Sequence, residues 1–199
     1  FFMLVAMVNF ALYFLAWRAR SLNAVFQDAE FRFCMQVVAG IVALAGLHLY
    51  LNGTSWWDSI HLGAFQGISM ITGTGLVTAG YPTHENWPAF VPLLFLLGSF
   101  FGGCVGSTCG GIKAIRFLLL YKQSVRETRL LVRPTAQIAV KLGDHPIPDR
   151  VMQAVWGFYY LYIFCYCAFS LALAATGADL VTAFGTTAAC LNNMGVGLG

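Results

Sequence analysis

Charge is what this sequence has least of. Only 10% of its 199 residues are charged, against about 25% in ordinary soluble domains. Four stretches carry no charge at all: residues 1–17, 33–51, 88–112 and 151–177. Apolar runs of about 20 residues are what the hydrocarbon thickness of a bilayer demands of a spanning helix. With 59% hydrophobic residues and a mean hydropathy of +0.73, a water-soluble core is a poor reading and four membrane spans are the expectation. Positive charge is missing from the whole of Asn52 to Pro88, whereas Arg18, Arg20 and Arg32 lie between the first two spans and the other eight basic residues lie in 113–150. The positive-inside rule makes the two basic stretches cytoplasmic and puts Asp58 and Glu85 outside. Bases that flank spans, rather than covering one exposed face, argue against nucleic-acid binding.

Metal chemistry lacks its ligands. Cys34, Cys104, Cys109, Cys165, Cys167 and Cys190 sit in apolar or glycine-rich segments, and no C-x-x-C pair lies near a histidine. They read as small buried hydrophobes without disulfides. His48, His61, His84 and His145 are scattered, as interfacial or solvated residues would be. The chain opens on Phe1 inside an apolar run, without an initiator Met or a basic region followed by a cleavage site, and closes on Gly199. It is expected to be a piece of a longer polypeptide rather than a signal-bearing one.

What is present is a pattern. After the span at 33–51, Trp56 and Trp57 stand where interfacial aromatics belong, and Asp58 or Ser59 can cap a helix. An apolar stretch from His61 to Ile71 follows, too short to cross, and ends in Thr72-Gly73-Thr74-Gly75-Leu76. Tyr81, Pro82, Trp87 and Pro88 lead into the next span. The same order returns after the span from Val151: Gly177, a capping Asp179, a short apolar stretch to Leu191, then Asn192-Asn193-Met194-Gly195-Val196. An offset of 120 places Gly75 on Gly195. Two re-entrant half-helices ending in glycine loops are the reading.

Those loops suit a cation pore, in which backbone carbonyls replace a hydration shell. Glycine permits the backbone conformations that aim carbonyls at one axis, and the negative end of a half-helix favours a cation there. Ordinary turn glycines in an extracellular loop are the alternative. The span from Pro88 contains five glycines between Gly102 and Gly111, which no helix accommodates comfortably, since each costs about 1 kcal/mol relative to Ala. Unwound backbone at membrane depth must be buried in protein or line a wet cavity. A flexible gate and static close packing of Gly102, Gly106 and Gly110 both remain open. A phosphate loop fails because Ile112 follows Gly111, and an intramembrane protease using Ser107 lacks the Gly-x-Ser-x-Gly spacing and a histidine in the next span. A secondary transporter would want carboxylates inside spans, and none is placed there. A noncatalytic scaffold is the remaining alternative. Lys113, Arg116, Lys122, Arg126, Arg129 and Arg133 suit a helix leaving the bilayer and ending at Pro134, with a short strand at 136–142 and a turn at Gly143-Asp144. Lys113 and Arg116 read as headgroup anchors or partner contacts.

The run from Gly102 to Arg116, GGCVGSTCGGIKAIR, resembles the intramembrane loop of the TrkH/KtrB potassium uptake family, with Cys109 where the family usually has glycine. Arg20-Ser21-Leu22, Trp156-Gly157-Phe158 and Leu191 to Gly199 resemble its TrkH branch, so the likeness spans the chain. It implies an all-α integral membrane fold of repeats, each a membrane helix, re-entrant pore helix, filter loop and membrane helix, around one pore. Residues 1–20 would end the inner helix of one repeat. Residues 21–135 would be a complete repeat: outer helix 31–52, pore helix 59–71, filter 72–76 and broken inner helix 88–133. Residues 136–150 would be a cytoplasmic connection, and 151–199 the first part of the next repeat. The filter would be Thr72, Gly73, Thr74, Gly75 and Leu76 with Asn192, Asn193, Met194, Gly195 and Val196, where glycine rather than serine argues for potassium. Gly102, Gly103, Gly106, Ser107, Thr108, Gly110 and Gly111 would form the gate. The resemblance further implies the rest of the polypeptide as partner (two more repeats and the last inner helix, with its arginine), a homodimer in the bacterial inner membrane, and a cytoplasmic TrkA-type nucleotide-binding subunit. That subunit would dock on the basic inner face. No cofactor is expected on this chain, and potassium is the substrate.

Overall fold

A computed structural model describes residues 1–78, 87–133, 141–142 and 145–198. The regular elements among the described residues are helices except for one short antiparallel pair. In order they form α1 (Phe2–Ala6), α2 (Phe10–Ala19), α3 (Asn23–Gln27), α4 (Ala29–Leu51), α5 (Trp56–Ile71), α6 (Phe90–Ser99), α7 (Ala114–Val132), β1 (Lys141–Leu142), β2 (His145–Pro146), α8 (Asp149–Ala175) and α9 (Leu180–Leu191). Most of the strand expected at 136–142, and the turn at 143–144, lie outside the described residues. So do Tyr81, Pro82, Pro134 and Gly199.

Among the described residues, two helices are long and apolar enough to cross a membrane, α4 with 23 residues and α8 with 27. At about 1.5 Å per residue they reach roughly 35 and 40 Å, against a hydrocarbon core of about 30 Å. The run at 1–17 is not one span. It breaks between Ala6 and Phe10, where the Asn9 side chain accepts from Ala11 N–H at 2.9 Å and starts α2 anew. Composition could not show this, since both halves are equally apolar. The run at 88–112 also divides, with α6 ending at Ser99 and α7 beginning at Ala114.

The caps explain where the shorter helices begin. Ser55 starts α5, its hydroxyl accepting from Asp58 N–H at 3.3 Å and donating to the Asp58 carboxylate at 2.8 Å. Neither Asp58 nor Ser59 is the cap, which corrects the expected start at 59: the reciprocal Ser-x-x-Asp pair satisfies the first turn from Ser55. Asp179 caps α9, accepting from Val181 and Thr182 N–H.

The core forms where α4, α5 and α6 meet. Cys34, Val38, Ile41, Ala45 and Leu49 make a buried stripe along α4, the three-and-four spacing of one helix face. At the α4–α5 crossing, a Cβ on Gly63 would stand 3.1 Å from Gly46 N, so small residues let the backbones touch. By contrast α8 is mostly exposed, with Tyr160, Leu161, Phe164, Phe169 and Leu171 outward. Its inner side meets α9, where the Tyr166 hydroxyl donates to Phe184 O at 3.2 Å.

Candidate functional site

Six buried polar residues gather around the C-terminal ends of α5, α6 and α9. Gln66, Ser69, Thr72, Ser99, Thr187 and Asn192 are each at most 4% exposed. Buried polar groups persist only where hydrogen-bonded, and here most of the bonds shape the loops that follow the helices.

The loop after α5 and the loop after α9 have the same backbone. Thr72 N–H donates to Ile68 O, Gly73 N–H to Met70 O and Thr74 N–H to Ser69 O; Asn192 N–H donates to Ala188 O, Asn193 N–H to Cys190 O and Met194 N–H to Ala189 O. Every donor and acceptor of the first set maps onto the second by adding 120. Left-handed residues follow the same register, Gly73 (φ 67°) with Asn193 (φ 52°) and Gly75 (φ 70°) with Gly195 (φ 79°). This ending satisfies the last carbonyls of a helix and turns the chain sharply away from its axis.

Side chains hold the two loops differently. In the first, Ser69 Oγ donates to Leu76 O at 2.7 Å, Gln66 Nε2 to Thr78 Oγ1 at 2.7 Å, and the Thr72 and Thr74 hydroxyls pair at 2.8 Å. In the second, Asn192 reaches outward. Its Nδ2 donates to Ser99 Oγ at 2.8 Å, and Tyr162 donates to its Oδ1 at 2.5 Å. The loops touch: a Cβ on Gly75 would overlap the Met194 carbonyl. At Gly195 it would meet nothing within 4 Å.

The third element is the segment between α6 and α7. Its backbone is not helical, with Gly102, Gly106 and Gly111 at φ 61°, 77° and 77°. It threads past the break in the first apolar run. Cys104 N–H donates to Met7 O at 3.0 Å, Thr108 N–H to Ala6 O at 3.4 Å, and Phe10 N–H to Gly106 O at 3.3 Å. The two broken helices thus satisfy each other's freed backbone groups. The segment also reaches both glycine loops, since a Cβ on Gly73 would lie 3.5 Å from Gly110 N, and one on Gly110 would overlap the Asn192 carbonyl. All three expected groups of site residues therefore meet in one place.

Lys113 is not where a headgroup anchor would be. Its ammonium folds back onto the segment, donating to Cys109 O at 2.7 Å and Ser107 O at 3.3 Å. Arg116 turns inward as well, its Nη1 on Ile112 O at 3.1 Å and its guanidinium carbon 3.7 Å from the Phe158 ring centre. The residue that sequence reasoning missed is Glu30. It lies in the first turn of α4, 7% exposed, and its Oε1 accepts from Val105 N–H at 2.8 Å and Ile115 N–H at 3.3 Å. It stands at the start of α4, ahead of the uncharged run 33–51. An acidic residue two positions after the capping Asp28 reads as an ordinary first-turn charge, and only its burial sets it apart.

At the N-terminus of α9, bonds from the Thr182 hydroxyl and amide and from Val181 N–H hold the Asp179 carboxyl below the usual carboxylate range. The bonds therefore favour the charged form of the cap. Its contribution is present above the unfolded-state value and is lost as pH falls through the lower folded one.

Residues 2–199 match the family model TrkH, described as a cation transport protein. The chain is 41% identical over its whole length to the Trk system potassium uptake protein TrkH of Halomonas elongata, of which it covers 41%. It is 39% identical to the Trk system potassium uptake protein TrkG of Escherichia coli K12, covering 40% of that protein. In three dimensions it is similar to the crystal structure of the potassium transporter TrkH from Vibrio parahaemolyticus, with a TM-score of 0.92 and 40% identity, covering 100% of this chain and 42% of that one. The chain spans about two fifths of the length of the curated relatives it matches. With the family model matched along essentially its whole length, the chain belongs to the TrkH family of cation transport proteins.

Proposed function

We propose that this chain supplies two of the pore segments of a potassium uptake protein in the bacterial inner membrane, and that it transports rather than catalyses a covalent reaction. The observation that carries the reading is the pair of glycine loops with one hydrogen-bond pattern 120 residues apart, in contact with each other and with the glycine-rich segment. In this reading α5 and α9 are re-entrant pore helices, and α4 and α8 are the outer helices of successive repeats. A potassium ion exchanges its water for carbonyls of Thr72 to Leu76 and Asn192 to Val196, beside the negative ends of α5 and α9. The names of the relatives, potassium uptake proteins, favour that ion.

The segment from Gly102 to Gly111 obstructs the path beneath the filter and opens it by moving, which its lack of helical bonds permits. The remaining repeats of the polypeptide and the last inner helix complete the ring, the assembly is a homodimer, and a TrkA-type nucleotide-binding subunit docks on the basic inner face of α7. Ser107 has a lysine 3.5 Å away, but its hydroxyl donates to Cys104 O at 2.5 Å and the lysine's donors face backbone carbonyls. The lysine therefore donates toward Ser107 and its neighbours rather than accepting the hydroxyl's proton. The test is rubidium uptake into liposomes holding the full-length parent protein. Uptake blocked by potassium and hardly by sodium is expected; no uptake with the regulatory subunit and its nucleotide supplied would overturn the reading.

A further inference from the structure

Glu30 and Lys113 grip the same segment from its two sides. The two amides on Glu30 Oε1 come from opposite parts of the helix break: Val105 lies inside the segment, and Ile115 is in the first turn of α7, where amides lack intrahelical acceptors. One turn along α4, the Cys34 thiol donates to Gly102 O at 3.7 Å. Lys113 holds the carbonyl side at Cys109 and Ser107 from a left-handed backbone position, φ 76°, that side chains rarely adopt. Such a conformation persists where its surroundings enforce it. The segment has little regular structure of its own, and these charged contacts add to its backbone bonds with Ala6, Met7 and Phe10 in fixing where it sits.

We infer that Glu30 and Lys113 form a latch that holds the Gly102 to Gly111 segment in its obstructing position, so that opening requires both contacts to let go. The inference rests on the gate reading above and adds its hold. A buried carboxylate is tolerated only while hydrogen-bonded. Moving the segment away takes the Val105 amide from Glu30 and leaves it only the longer bond from Ile115, which makes the obstructing state the favoured one and gives the equilibrium two distinct positions. Glu30 acts here through the segment and is a positioning residue.

The experiment compares basal rubidium flux, without the regulatory subunit, through the full-length parent protein and three variants in liposomes: Glu30→Gln, Lys113→Gln and a protein lacking residues 105–108. Glutamine keeps the shape of Glu30 but replaces a charged acceptor by a weaker neutral one. Basal flux through Glu30→Gln is expected to rise about tenfold, equivalent to ~1.4 kcal/mol of lost hold, with potassium-over-sodium preference unchanged. Lys113→Gln should move flux the same way, and it carries the test should Glu30→Gln fail to assemble. A merely structural role would lower flux and melting temperature together. If the shortened protein gains flux while both latch variants stay level or fall, the latch is wrong and the gate stands. If none of the three gains flux, the gate reading falls and the latch with it.

Discussion

The loops after α5 and α9 share a backbone and differ in nearly everything that supports it. The first is braced from within by Ser69, Gln66, Thr72 and Thr74. The second is braced from outside, its Asn192 held between Ser99 at the end of α6 and Tyr162 of α8. The helices differ too: α5 has 16 residues and α9 has 12, so their ends match at an offset of 120 while their caps, Ser55 and Asp179, are 124 apart. One helical turn has been added or lost at the N-terminal side without disturbing the loop. The terminal hydrogen bonds depend only on the last turn of a helix, which is why that end tolerates different helix lengths and different side-chain supports.

Substitution of the paired glycines should separate the loops most. Gly75→Ser meets both a left-handed backbone, at about 1 to 2 kcal/mol for any side chain, and the Met194 carbonyl. Gly195→Ser meets the first and, among the described residues, nothing else within 4 Å. In the full-length protein, rubidium uptake with sodium as competitor should show potassium preference falling roughly tenfold or more for Gly75→Ser, a change of at least ~1.4 kcal/mol; an unchanged preference would mean that the contact between the loops is irrelevant to selectivity. An equal loss for Gly195→Ser would mean that another repeat closes on Gly195 as Met194 closes on Gly75, and a smaller loss that none does.

The supports come next. Asn192→Ala leaves the Tyr162 hydroxyl without its acceptor and the Ser99 hydroxyl without a donor, a loss of about 1 to 3 kcal/mol. It should appear as a lower melting temperature of the purified protein. Ser69→Ala removes one bond to Leu76 O, worth about 1 kcal/mol, and should alter selectivity more than melting. A reversed order would show that the bracing within the first loop matters more to stability than the second loop's bonds to its neighbours.

The caps give the smallest effect. Ser55→Ala should lower the stability of the α5 end by about 1 kcal/mol. Asp179→Ala should act in the same direction, and its effect alone should shrink as pH is lowered through the depressed carboxylate value. A pH-independent Asp179→Ala effect would show that the cap charge contributes nothing.

The different visibility of these features in the sequence has a physical cause. Asn192 and Gly75 announce themselves because each ends a short apolar helix, a pattern confined to neighbouring residues. The break at Met7 to Asn9 does not, because Phe1 to Trp17 is uniformly apolar and its freed carbonyls are satisfied by Cys104 and Thr108, about a hundred residues away. Ser55 was overlooked as a cap because Asp58, three residues on, is an equally good capping residue type. Lys113 reads as a membrane-surface residue because it stands beside an apolar run, and Glu30 goes unread because a charge just after a capping Asp28 is ordinary.

The sequence alone determined that the chain is apolar enough for a membrane, how its charges are distributed along the chain, and where glycine makes a continuous helix unfavourable, since all three follow from local composition and short-range periodicity. Only the tertiary structure decided which groups take up the freed backbone amides and carbonyls. Glu30 meets Val105 across 75 positions, and Gly110 meets Asn192 across 82. Such pairings depend on how whole helices pack, because a hydrogen bond registers distance in space and a sequence registers only distance along the chain.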